Sequence, residues 1–143
     1  MPFTYKDDVA LADVAFKAWG ETLEEMFIAA ADATTGAMVA DLETIRAGQV
    51  REIEVSSSAL DMLLFNLLQE ILFFKDAEQL LLRIGCVSIT RVGGEYVARA
   101  TARGESIDPG RHETIVDVKA VTLHLFSVEQ TPLGWRAFVV LDV

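Results

Sequence analysis

The sequence predicts a single α+β domain spanning residues 1–143, with two helices packed on a sheet. Three observations lead there. The run Ala59 to Phe74, ALDMLLFNLLQEILFF, is apolar on nearly every side and contains neither Gly nor Pro, which favours a helix covered on most of its surface. A second stretch, Leu23 to Val39, repeats Leu23, Met26, Phe27, Ala30, Ala37 and Met38 at helical spacing. Most of what lies outside these stretches reads as short apolar strands between turn residues. Two amphipathic helices and such strands are stable when the helices cover the sheet.

In chain order, residues 1 to 12 form a short lead. Val14 to Trp19 is a strand, with Asp13 at its start and Gly20 at its end. Thr22 and Glu25 have capping-box spacing at the first helix, and Gly36 is its weak point. Gln49 to Val55 is a strand of uncertain register. Ser58 and Asp61 repeat the capping-box spacing before the central helix. Within it, Asn66 and Glu70 share a face. They are either the helix's wet stripe or a buried carboxylate that orders nearby backbone. Lys75, Asp76 and Glu78 mark a polar exit, after which Leu80 to Leu82 extends the helix or opens another element.

Val87 to Val92 and Glu95 to Arg103 form a hairpin around Gly93-Gly94. In its second arm Tyr96, Ala98, Ala100 and Ala102 make a small-residue face suited to a helix. Residues 104–114 read as a loop with a turn at Asp108-Pro109-Gly110. Val116 to Glu129 is a long strand. Trp135 to Val143 is the last, and both its faces are apolar, which places it inside the sheet.

The chain is 52% hydrophobic, so disorder is not expected. Its net charge of −10 argues against nucleic-acid binding through a broad basic surface and suits a cation or a basic partner. The one cysteine, Cys86, excludes an internal disulfide and reads as a small core residue. No stretch resembles a secretory signal or a membrane span, so the expected location is the cytoplasm.

Signals for catalysis are sparse. Phosphate-binding glycine loops, paired cysteines and metalloprotease helices are missing, and no Ser-His-Asp or Cys-His arrangement has recognisable context. His112 and His124 flank Lys119. They read as structural or surface residues, or as the centre of a small hydrolase or ligand-binding site. Asp13 and Asp142 stand at strand ends. With an oxygen from Val143 they are the donor type a hard cation prefers, although acidic residues at strand ends are ordinary.

Four blocks in order carry a family resemblance: ADVAFKAWG with TLEEMF, LLFNLLQEILFF, GESIDPGRHETIVDVKAVTLH, and WRAFVVLDV. Together they resemble archease, the small protein that assists the tRNA-splicing RNA ligase of the RtcB type. The resemblance covers essentially the whole chain. It implies a compact α+β domain with two helices on a mixed or mainly antiparallel sheet. It also implies a non-catalytic accessory protein that promotes nucleotidylation of the ligase by GTP and lets it turn over repeatedly. The family's metal ligands fall on Asp13, Asp142 and Val143, with calcium the expected ion in isolated protein and another divalent ion at the ligase. Where the family has His-Thr before Ala-Asp, this sequence has Ala10 and Leu11. That loss removes two groups that would support the ion's ligands. An acidic accessory protein is expected to touch the ligase's protein surface, and the loop carrying Glu105, Asp108, His112 and Glu113, with nearby Lys119, is the expected surface.

Overall fold

The structure, a computed structural model, describes residues 2–6 and 13–143. Seven strands and two helices follow in the order β1 (Phe3–Lys6), β2 (Asp13–Gly20), α1 (Leu23–Gly36), β3 (Gln49–Ser57), α2 (Leu60–Glu78), β4 (Leu80–Val92), β5 (Glu95–Ser106), β6 (Ala120–Thr131) and β7 (Gly134–Asp142). The strands form two antiparallel sheets, β1-β2-β7-β6 and β3-β5-β4, where one sheet was expected. α1 packs on β2, β4 and β7, and α2 on β3, β4 and β6, so each helix touches both sheets. β7 lies between β2 and β6, as its two apolar faces require.

Helix α1 begins as the capping residues dictate. The Thr22 hydroxyl accepts from the Glu25 N–H at 3.1 Å, and the Glu25 carboxylate accepts from the Glu21 N–H at 2.9 Å. It ends at Gly36, three residues short of the expected Val39. Helix α2 lacks the expected cap. Ala59 takes the cap position, Ser58 does not bond the first turn, and Asp61 accepts from Met62 N–H. α2 also runs four residues past Phe74, to Glu78, and stops where Gln79 turns left-handed at φ 55°.

Leu64, Leu68 and Leu72 are buried. The sequence favours α2 as the helix covered on most of its surface, yet α1 is the more buried of the two. Eight of the 14 residues of α1 are buried against seven of the 19 in α2. The alanines of α1 let strands approach from both sides, whereas Phe73 and the charged end of α2 face water. Asn66 and Glu70 are half-buried, and the Asn66 amide donates to Ser56 O at 3.2 Å, which makes this face the wet stripe.

The hairpin turns at Gly93-Gly94, both with positive φ (59° and 88°), the geometry two-residue hairpins favour. Ala98, Ala100 and Ala102 are buried beneath the helices as expected. Cys86 is exposed and not in the core. A bulge between Ile84 and Cys86 adds one residue, Gly85, to the β4 side of the ladder. Cys86 therefore stands opposite Thr101 on the outer face, and Val87 takes the inward position opposite Ala100.

Two further differences concern sheet edges. β1 falls within the expected lead, because four residues are too few for alternation to register. β6 starts at Ala120 instead of Val116. The segment before it is held from below: Lys75 Nζ donates to Asp117 Oδ1 and to Val118 O, both at 2.7 Å. β6 is also interrupted. Four of its residues, Leu123 to Phe126, stand opposite a single residue of β7, Val139. Leu125 there has φ 56°, a left-handed conformation that costs a non-glycine residue roughly 1–2 kcal/mol.

Candidate functional site

The antiparallel register sets Asp13 directly opposite Asp142. Residues opposed in this way project from the same face, with Cβ atoms about 4.5–5.5 Å apart. Their neighbours Val14 and Leu141 turn into the core, so the two aspartates point away from it. Both are half-buried, as is Val143. From the other side Ala120 pairs with Asp142, and the Lys119 N–H donates to Asp142 O at 2.8 Å. The end of β7 that carries Asp142 is thus held by ladders on both flanks, and Asp13 by its pairing with β7. Ala10 and Leu11 lie outside the described residues.

Two adjacent carboxylates with backbone oxygens beside them have the chemistry of a hard-cation site. Among the described residues, no group of three or more His, Cys, Asp or Glu side chains is placed to hold a metal ion. Such an ion would therefore be completed by backbone oxygen or water, as calcium and magnesium tolerate.

The loop expected to face a partner divides in two. Asp108, Glu113 and Lys119 are exposed. Glu105 and His112 turn inward and form a latch. The Glu105 carboxylate accepts from Arg46 N–H at 2.7 Å, from His112 Nε2 at 2.9 Å and from the Arg111 guanidinium. Arg111 first, then the Arg46 amide, and to a lesser degree His112 hold the Glu105 carboxyl down at about 2, against an ordinary 4.5. His112 Nδ1 accepts from Asp108 N–H at 2.9 Å, so the neutral ring carries its proton on Nε2 and donates it to Glu105. The turn itself is as expected: Asp108 Oδ1 accepts from Gly110 N–H at 3.0 Å.

Two features escaped the sequence. Lys75 reads as part of a polar exit, yet its side chain is buried and its ammonium also meets Asp76. A lone Lys directly after Phe73-Phe74 was the available signal. The bulge in β6 lifts Leu123 and Leu125 into solvent, at 60% and 61% exposure, with His124 between them. Nothing in the alternating run Thr122, His124, Phe126 announces that break. Among the described residues no hydrogen bond joins His112, Lys119 and His124.

Strands ending in paired aspartates, beneath two helices shared by two antiparallel sheets, define a small α+β class that comparison makes specific. Residues 3–143 match the profile of the archease protein family. The archease of Pyrococcus abyssi is 38% identical over 133 residues, covering 92% of this chain and 93% of its own. That of Methanosarcina mazei is 35% identical, covering 92% and 90%. The solution structure of Methanobacterium thermoautotrophicum protein 1598 superposes with a TM-score of 0.86 at 33% identity, covering 99% of both chains. A Thermotoga maritima archease, described as a possible chaperone, shares the fold at a TM-score of 0.60 and 18% identity over 96% of each chain.

The chain belongs to the archease family. Membership supports an accessory role connected with RNA ligation, in a family whose members are typically non-catalytic.

Proposed function

We propose that the protein is the accessory factor of an RtcB-type RNA ligase, working in the cytoplasm by promoting GTP-dependent nucleotidylation of the ligase and its repeated turnover. The observation that carries this reading is the register that opposes Asp13 and Asp142 at one end of the β2–β7 pair. In this reading the two carboxylates and Val143 hold a divalent cation, calcium in the isolated protein. The cation's role is charge neutralisation: it relieves repulsion between the carboxylates and fastens the last strand to β2. The chain's own residues then present a shaped acidic end to the ligase. Exposed Asp108, Glu113 and Lys119, together with Leu123 and Leu125, supply further contacts to its protein surface.

The rival reading, a small hydrolase or ligand-binding site at His112, Lys119 and His124, loses its central group. Both ring nitrogens of His112 are occupied within the latch and the ring is buried, so it has no free nitrogen for a substrate. Mixing the purified protein with GTP, RNA ends and the cognate ligase separates the two. Faster nucleotidylation of the ligase supports the accessory reading, and turnover of substrate without ligase contradicts it.

A further inference from the structure

The end of the β2–β7 pair opposite the aspartates carries a groove of about 670 Å³. β2 separates the two ends by about 23 Å, seven steps of about 3.3 Å. Both tryptophans of the chain line the groove, with Pro132 and Leu133 from the β6–β7 turn. Trp19 is 43% exposed and Leu133 88% exposed, and with Pro132 they line one apolar surface. The floor is firmly set. Gly134 sits at φ 139°, and a Cβ there would lie 2.2 Å from Gly20 O, so only glycine lets the turn close against β2. A second cleft of about 630 Å³ shares Trp19, Gly20 and Glu21 and runs on along α1.

The charged residues lining the two clefts are Glu21, Glu25 and Asp32 against Arg136. Arg136 is taken by Glu129 at 3.1 Å, and Asp32 is held by Arg83 at 3.0 and 3.1 Å. That leaves Glu21 and Glu25 exposed on the rim with no basic side chain bonded to them among the described residues. An apolar, aromatic floor with an acidic rim matches an apolar anchor flanked by basic side chains. A second copy of this chain is a poor match. A two-fold contact would set the Glu21 and Glu25 rim against itself, in a protein of net charge −10.

We propose that the Trp19–Trp135 groove is a docking site, separate from the aspartate end, for a protein segment with an apolar anchor flanked by Lys or Arg. Occupation leaves Asp13 and Asp142 free, so one molecule can engage two surfaces at once. This inference does not depend on the ligase reading.

Trp19 is 43% exposed and lines the groove, so its indole reports occupation, against a second indole at Trp135 that packs on the core. The probe is a short amidated peptide with Leu on one helical face and Lys and Arg on the other, titrated into the full chain. The expected result is a blue shift and protection from acrylamide quenching. Leu133→Ser should raise the Kd by about tenfold or more, given what a buried Leu contributes. Glu21→Lys should weaken binding most at low salt. Three results would overturn the proposal: no spectral change, binding untouched by Leu133→Ser, or a shift that appears with rising protein concentration alone. The second would mean diffuse electrostatics, and the third a second copy in the groove. Leu133 is nearly free of contacts, so its replacement leaves the fold intact.

Discussion

At Glu105 a single carboxylate accepts from three donors, on residues that precede β3 and that lie in the loop after β5. Its carboxyl is held at about 2 in the folded chain, below the ordinary 4.5, so its stabilising effect is complete above about pH 4.5. The effect is lost as the pH falls through that window to about 2. Urea midpoints should therefore fall more steeply with acid in the wild type than in Glu105→Gln. Parallel curves would mean that the latch contributes nothing to folding. Two other residues give sharp readings. Leu68 is fully buried, and Leu68→Ala should cost about 2–5 kcal/mol in chemical denaturation. Asp142→Ala should abolish calcium, magnesium and manganese binding measured by calorimetry. Equal binding by wild type and variant would remove the proposed ion from this place.

The segment 114–119 is held at its start by pairing with Val39 and at its end by one side chain. Lys75 satisfies the Val118 carbonyl and ties Asp117 to α2, and the next amide, Lys119 N–H, bonds Asp142 O. Lys75→Met should leave that carbonyl unpaired at a cost of about 1–3 kcal/mol. Hydrogen exchange at the Lys119 and Ala120 amides should then quicken more than exchange in α1, whereas uniform acceleration would point to global loosening. Elements like this one explain what the sequence could reveal. Helix positions, the Gly93-Gly94 turn and the alanine face of β5 follow from local periodicity and turn chemistry, and all are legible. The start of β6, the outward turn of Cys86 and the division into two sheets follow from tertiary contacts or from one added residue in a ladder. No alternation in sequence encodes them. The candidate site was legible in part. Asp13 and Asp142 were legible as acidic strand ends, a weak signal that family resemblance sharpened, and only strand register sets them side by side. Glu105 and His112 looked like surface residues because a polar loop reveals nothing about which side chains fold back under it.

Across the whole molecule, the β2–β7 pair joins two unlike surfaces. One end carries opposed aspartates, and the other carries a tryptophan-lined groove with an acidic rim. Membership of the archease family supports an accessory role connected with RNA ligation. No described helix is long and apolar enough to cross a membrane. In the proposed function the aspartate end acts on the ligase. Its most direct test is the rate at which the cognate RtcB-type ligase is nucleotidylated by GTP, with saturating wild type or Asp142→Ala. Stimulation by the wild type and none by Asp142→Ala is expected. Equal stimulation by both would contradict it.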